Sequence, residues 1–181
     1  MRKASGNMGL LRAVAEIAEE DYAGALHVEI VEIAHLPFVN PDLEQQGTVP
    51  DSVHEFRRKV KEADAVIFAA PEYNYSVSAV LKNAIDWASR PPNVWADKPA
   101  AIMSAAGGSG GSRAQYHLRQ IGVFLDLHFI NKPEVFVKSY EEPTKFDSHG
   151  NLIDADTRAR VRQLLAALRS FSLRLGGSPC S

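Results

Sequence analysis

The hydrophobic pattern of this chain switches repeatedly between strand and helix periods. Asp64-Ala65-Val66-Ile67-Phe68-Ala69-Ala70 is a near-continuous apolar run bounded by a turn signal, the pattern of a parallel strand covered on both faces. Val77, Leu81, Ile85 and Ala88 follow at helical spacing, with Lys82, Asn83 and Asp86 between them, which predicts an amphipathic helix. Earlier, Leu10, Leu11, Val14, Ile17 and Ala18 mark a helix that Ser5 can cap. Leu26 to Ile33 alternates in part and predicts a strand. A loop carrying Pro37, Asn40, Pro41, Gly47 and Pro50 leads to a helix face of Val53, Phe56, Val60 and Ala63. Pro99 to Ala105 is a second apolar strand, ended by Gly107-Gly108-Ser109-Gly110-Gly111 and followed by a helix with Tyr116, Leu118, Ile121 and Leu125. His128-Phe129-Ile130 and Glu134 to Val137 predict a last strand, interrupted by Asn131-Lys132-Pro133. Segment 139–151 reads as a polar surface loop, and Leu164, Leu165, Leu168, Phe171 and Leu175 give a closing helix. Such alternation predicts a parallel sheet with helices on both faces. No repeat or linker divides the pattern, so residues 1–181 read as a single domain.

A chain of 181 residues is long enough to bury a sizeable core. Its net charge of -2 offers no field for nucleic acid or acidic lipid. No apolar run approaches a membrane span, no signal peptide is expected, and the single Cys180 allows no internal disulfide. The expected compartment is the cytoplasm.

Ligands of open α/β sheets sit beyond the carboxyl ends of strands. Pro71-Glu72-Tyr73-Asn74-Tyr75-Ser76 occupies such a position, between strand and helix. Read plainly, it is a connection in which Pro71 stops the strand and Ser76 caps the helix. Read functionally, its polar and aromatic residues line a site, since the turn leaves Tyr73 and Tyr75 few places to bury. The glycines at 107–111 are either an ordinary turn or a loop whose backbone approaches a flat ligand closely. They also match the G-x-S-x-G elbow of serine hydrolases, with Ser109, then Asp126 or Asp147, then His149 in triad order. That run lacks the bulky residues that shape an elbow, and no oxyanion segment of the HGGG type accompanies it. The six histidines show no metal spacing, and neither a Walker loop nor a G-x-G-x-x-G follows a first strand. Trp87 and Trp95 fit either a core or a site wall.

Several ordered motifs resemble one family. Arg2-Lys3-Ala4-Ser5-Gly6-Asn7-Met8-Gly9-Leu10 is similar to the R-K-x-S-x-N-x-x-L stretch of the NADPH-dependent FMN reductases. Pro71 to Ser76 with Leu81 to Trp87 resembles that family's flavin-ring loop and helix, and Gly110 to Gln120 its third signature, continued by Asn131-Lys132-Pro133-Glu134. The likeness covers nearly the whole chain and is nearest to plant NAD(P)H:quinone oxidoreductases and bacterial chromate and quinone reductases.

The resemblance implies a flavodoxin-like three-layer sandwich binding FMN, with NADPH or NADH as co-substrate and a small-molecule quinone as acceptor. It places the phosphate at Arg2, Ser5 and Asn7, where a helix N-terminus favours an anion. Pro71, Glu72, Tyr73, Asn74 and Ser76 would run along the ring, and Ala105, Gly107, Gly108, Gly110, Gly111 and Arg113 would approach its other end. No side chain is expected to be catalytic and no metal is expected. The implied kinetics are two-electron and ping-pong, in a homo-oligomer (dimer or tetramer). Gln115 to Arg119 put large groups on successive faces of one helix, more than a core-facing stripe needs, so that helix or its neighbours are expected at the contact. One departure stands out. The family carries an apolar strand and a Gly-Ser-Leu turn just ahead of the position of Arg2, where this chain has Met1. The expectation is therefore a sheet lacking its first, central strand. Alternatives are a flavodoxin-type electron carrier, a serine hydrolase using Ser109, or a non-enzymatic truncated form.

Overall fold

A computed structural model describes residues 2–176; Cys180 lies outside the described residues. Its sheet is built around one central strand of small residues, Lys98-Pro99-Ala100-Ala101-Ile102-Met103-Ser104-Ala105-Ala106, with all but the two ends buried. Taking strands in chain order, β1 (Val66–Ala69) pairs in parallel with this strand, β2 (Lys98–Ala106), from Val66 opposite Ala100 to Ala69 opposite Met103. On the other edge of β2, β3 (Leu127–Phe129) lies against residues 98–100 and β4 (Val135–Lys138) against residues 103–106, both parallel. The interrupted last strand of the sequence reading is thus two short strands sharing one edge.

Side chains of β2 alternate between two cores, as the pleat requires. Ala100 and Ile102 face Val53, Phe56 and Val60 of α3 (Asp51–Glu62), Leu81 and Ile85 of α4 (Ala79–Ser89), and Leu118 and Leu125 of α5 (Ser112–Leu125). Ala101, Met103 and Ala105 face Leu10, Val14 and Ile17 of α1 (Gly6–Tyr22) and Val161, Leu164 and Leu168 of α6 (Ala155–Gly176). Helices cover both faces, in three layers. Trp87 and Trp95 are core residues whose indole N–H groups donate to Pro37 O and Ile85 O at 2.7 and 3.0 Å, as buried tryptophans require. A five-residue helix, α2 (Pro41–Gln45), interrupts the proline-rich loop and was not legible in the pattern.

Two expectations need correction. Residues 26–33 do not form a strand: 27–33 run outside any ladder. Their alternation suits a strand, but a strand exists only with a hydrogen-bonded neighbour, and no described strand lies beside them. Instead a cavity separates Glu29–Ile33 from Ala65–Ala69, leaving the outer edge of β1 unpaired among the described residues. The gap falls where the sequence leads one to expect the missing first strand. The second correction concerns Ser76, which does not cap α4. Ser78 does, its Oγ accepting from Leu81 N at 3.3 Å.

Candidate functional site

The carboxyl ends of β1 and β2 open into a cavity of about 510 Å³, a volume that includes the gap running down the unpaired side of β1 past Glu29–Ile33. Three separate segments meet there: Arg2 and Ser5–Met8, Pro71–Tyr73, and Ala105–Gly107.

The first wall is the start of α1. Ser5 is its N-cap, with Oγ accepting from Met8 N at 3.4 Å, and no acidic residue stands in the first turn. The end therefore keeps its partial positive charge. Asn7 bridges this wall to the sheet. Its Nδ2 donates to Ala105 O at 2.8 Å and its Oδ1 accepts from Ala105 N at 2.9 Å. The side-chain amide thereby satisfies both backbone groups of a residue that lies beyond the end of β1 on that side.

The second wall is a two-residue hairpin. Tyr73 N donates to Ser76 O at 2.9 Å and Ser76 N to Tyr73 O at 3.0 Å, closing a turn over Asn74 (φ 49) and Tyr75 (φ 67). Positive φ at both central residues is the tight-hairpin geometry that matches strand twist. Asparagine tolerates it, whereas left-handed backbone costs a tyrosine about 1–2 kcal/mol. Contacts to α5 hold it there. The Arg113 guanidinium lies 4.1 Å from the Tyr75 ring centroid, and Ser76 Oγ sits 2.7 Å from His117 Nδ1. Tyr73 and Tyr75 remain 61% and 68% exposed, as their place in a turn predicts.

The third wall is the 107–111 loop. Gly111 (φ 89) has no room for a side chain, because a Cβ there would meet Ser104 Oγ at 2.6 Å. Ser104 Oγ donates to Gly110 O at 2.6 Å and fastens the loop to β2. Around Gly107 and Gly108 nothing lies within 4 Å of where a Cβ would be, so that part of the backbone is open to a flat ligand. The loop meets the hairpin through Glu72, whose Oε2 accepts from Arg113 N and Ala114 N at 3.0 and 3.4 Å and whose Oε1 accepts from Arg113 Nη1 at 2.9 Å. Burial pushes the Glu72 carboxyl up, but the nearby Ser109 hydroxyl, Arg113 and the α5 N–H groups outweigh it and hold it below its ordinary value.

Of the expected site residues, Arg2, Ser5, Asn7, Pro71, Glu72, Tyr73, Ala105 and Gly107 line the cavity. Asn74, Ser76, Gly108, Gly110, Gly111 and Arg113 do not line it; most of them shape the walls from behind. Met8, Ser139 and Tyr140 also line it and were missed. Ser139 follows β4 directly, its N–H donating to Ala106 O at 2.8 Å, so the rule that sites lie past strand ends could have found it. The hydrolase constellation is not assembled: Ser109 Oγ accepts from Gly111 N at 3.1 Å and neighbours Glu72, while the His149 ring meets Ser148 and Asp147 binds its own loop. Among the described residues no helix is long and apolar enough to cross a membrane.

A helix N-terminus, an aromatic hairpin and a glycine loop around one cavity at strand ends define an α/β ligand-binding protein of the nucleotide-cofactor type. Comparison makes this specific. The NADPH-dependent FMN reductase family matches residues 1–142, and the chain belongs to that family. It is 59% identical to an NADPH:quinone oxidoreductase of Arabidopsis thaliana over 177 residues, covering 98% of this chain and 90% of the relative. It is 38% identical to a quinone reductase of Escherichia coli K12, covering 97% and 92%. Among solved structures, the flavoenzyme NAD(P)H:(acceptor) oxidoreductase FerB of Paracoccus denitrificans superposes with a TM-score of 0.82 at 30% identity, covering 96% of this chain and 93% of the other. The fold is the flavodoxin-like one.

The residues present fit FMN at both ends of the cavity. The acid-free N-terminus of α1 suits a phosphate, and the open backbone at Gly107 leaves space for a planar ring. The gap beside β1 widens the cavity between them.

Proposed function

We propose that this chain is an FMN-dependent NAD(P)H:quinone oxidoreductase. The observation that carries the reading is the convergence of residues 2–8, 71–73 and 105–107 on one cavity at the strand ends, in a chain 59% identical to an NADPH:quinone oxidoreductase. When bound, FMN supplies a ring that takes a hydride from reduced nicotinamide and delivers two electrons to a quinone, which gains two protons. The protein's part is binding and orientation. Arg2 and Ser5 hold the phosphate with the first-turn N–H groups of α1, and Asn7 keeps that turn on β2. Pro71 to Tyr73 would border the ring and Ala105 to Gly107 its other side, with Asn74 and Gly108 set behind these walls. Tyr73, half in solvent, flanks the entrance for flat substrates. No side-chain acid or nucleophile is required, since stacking and orientation lower the barrier.

The working unit is a homo-oligomer, a dimer or tetramer, of single domains in the cytoplasm. Tyr116, Val123 and Phe124 lie at helical spacing on α5 and are 52%, 82% and 87% exposed. An apolar helix face left bare next to the site supports assembly through that helix.

The test is steady-state NAD(P)H oxidation by the FMN-loaded chain with a water-soluble benzoquinone. Turnover without any added reductase is expected. Flavin retention with no such turnover would instead favour an electron carrier, and absence of flavin bands after reconstitution would overturn the site.

A further inference from the structure

Glu72 touches two walls of the cavity at once. Its backbone runs into the 73–76 hairpin, while its carboxylate reaches the start of α5, 41 residues further along the chain. Helix N-termini leave several N–H groups without partners, and Gly111 at the cap offers no side chain. The Glu72 carboxylate takes that role for Arg113 N and Ala114 N, and its side chain is only 9% exposed. The 107–111 loop depends on this seat. At one end the loop leaves β2 at Ala106, and within it Gly107 O accepts from Gly110 N at 2.8 Å. At the other end Ser104 pins Gly110 and Glu72 seats the first turn of α5, so the course of the loop is set by β2 and by where α5 begins. Arg113 completes the tie, with one nitrogen on Glu72 and its plane over Tyr75.

We infer that Glu72 is a positioning residue whose carboxylate fixes the start of α5, and with it the 107–111 loop, against the 73–76 hairpin. This side chain, beside the Ser76–His117 contact further along α5, then sets the spacing between two walls of the ring site. The consequence for FMN rests on the flavin reading above, while the spacing belongs to the free chain. Donors surround the carboxylate and hold its pKa down, so the tie is intact throughout the neutral range.

Two readouts decide this. Amide hydrogen exchange on the FMN-free chain is measured at residues 107–114, and FMN affinity is measured by fluorescence titration. In Glu72→Ala, exchange across 107–114 is expected to rise about tenfold and FMN to bind about tenfold more weakly, the scale of losing charge-assisted hydrogen bonds. Glu72→Gln keeps an acceptor for the helix N–H groups but loses the charge, and should fall between Ala and the parent. It also serves if the alanine variant does not fold. Asn40→Ala, which removes the cap of α2 away from this site, should leave both readouts unchanged. A Glu72→Ala or Glu72→Gln protein that melts lower yet matches the parent in both readouts overturns the proposal, because a plain helix cap would do that. Should the parent chain bind no FMN, the flavin reading fails, and exchange at 107–114 still decides the positioning role.

Discussion

Asn7 and Ala105, 98 residues apart, hold each other by a closed pair of hydrogen bonds, 2.8 Å from amide to carbonyl and 2.9 Å from N–H to amide oxygen. The pair imitates one rung of a β-ladder and anchors the start of α1 to the end of β2. Asn7→Ala should therefore lose about 1–3 kcal/mol, the cost of leaving two half-buried backbone groups without protein partners. Urea unfolding measures this, and an unshifted midpoint would show the bridge to be dispensable.

Gly9 and Gly150 meet without side chains. A Cβ on Gly9 would lie 2.0 Å from Gly150 O, whose loop is further tied to α1 by Arg12 Nη2 on Gly150 O at 3.0 Å and Arg12 Nε on Asn151 Oδ1 at 2.9 Å. Gly9→Ala should cost roughly 1–3 kcal/mol by overpacking. Gly107→Ala, placed in open space, should melt like the parent. Equal melting temperatures for all three proteins would contradict this packing.

Asn74 sits at φ 49 in the hairpin. Asn74→Gly keeps the turn, whereas Asn74→Ala strains it, so the alanine variant should retain FMN less well, by about 0.5–1.5 kcal/mol. If both variants bind flavin as the parent does, neither the turn nor the amide shapes the ring site.

The bare face of α5 predicts assembly. Light scattering at micromolar concentration should report a multiple of the monomer mass, and Val123→Glu with Phe124→Glu should return it to the monomer. A monomeric parent would refute the interface.

Acid sensitivity follows from the capping carboxylates. Hydrogen bonds from the Thr157 hydroxyl and N–H at 2.5 and 2.8 Å, with Lys145 at 3.2 Å, hold Asp154 below its ordinary 3.8 despite its burial. A carboxyl whose folded pKa is depressed stabilises fully above its unfolded value and loses that contribution as pH falls through the folded one. Melting temperature should stay level from pH 8 to about 5 and drop below about 4. Asp154→Asn should melt lower at neutral pH and show a shallower acid drop.

Elements with a strong period were legible. The 64–70 run contains β1, the Val77–Ala88 stripe covers all of α4 but its last residue, and the residues that line the cavity from 71–73 and 105–107 sit at or just past the ends of strands the pattern marks. What escaped were ties between distant residues. Glu72 to Arg113, Asn7 to Ala105 and Arg12 to Gly150 join positions 41, 98 and 138 residues apart, and no local period encodes them. Ser76 and Ser78 are equally good caps by composition. The hairpin claims Ser76, and only its closure decides that α4 starts later. For 26–33 the alternation was real, yet a ladder is a property of two segments, and one segment's pattern cannot supply its neighbour.

Among the described residues, the unpaired side of β1 is an edge that would add strands in one direction. Its N–H and C=O groups face a cavity rather than any described strand, and a strand edge of that kind between apolar layers is a template for an extended segment that enters. Val31 and Ile33 pack against the core on the α3 and α4 side, so warming that loosens 29–33 would open this row together with part of that core. Self-association should then start at Val66–Ala69, as backbone-paired species rather than amorphous precipitate; Ile67 packs against the α1 and α6 core, so a charge there would slow association and lower stability together.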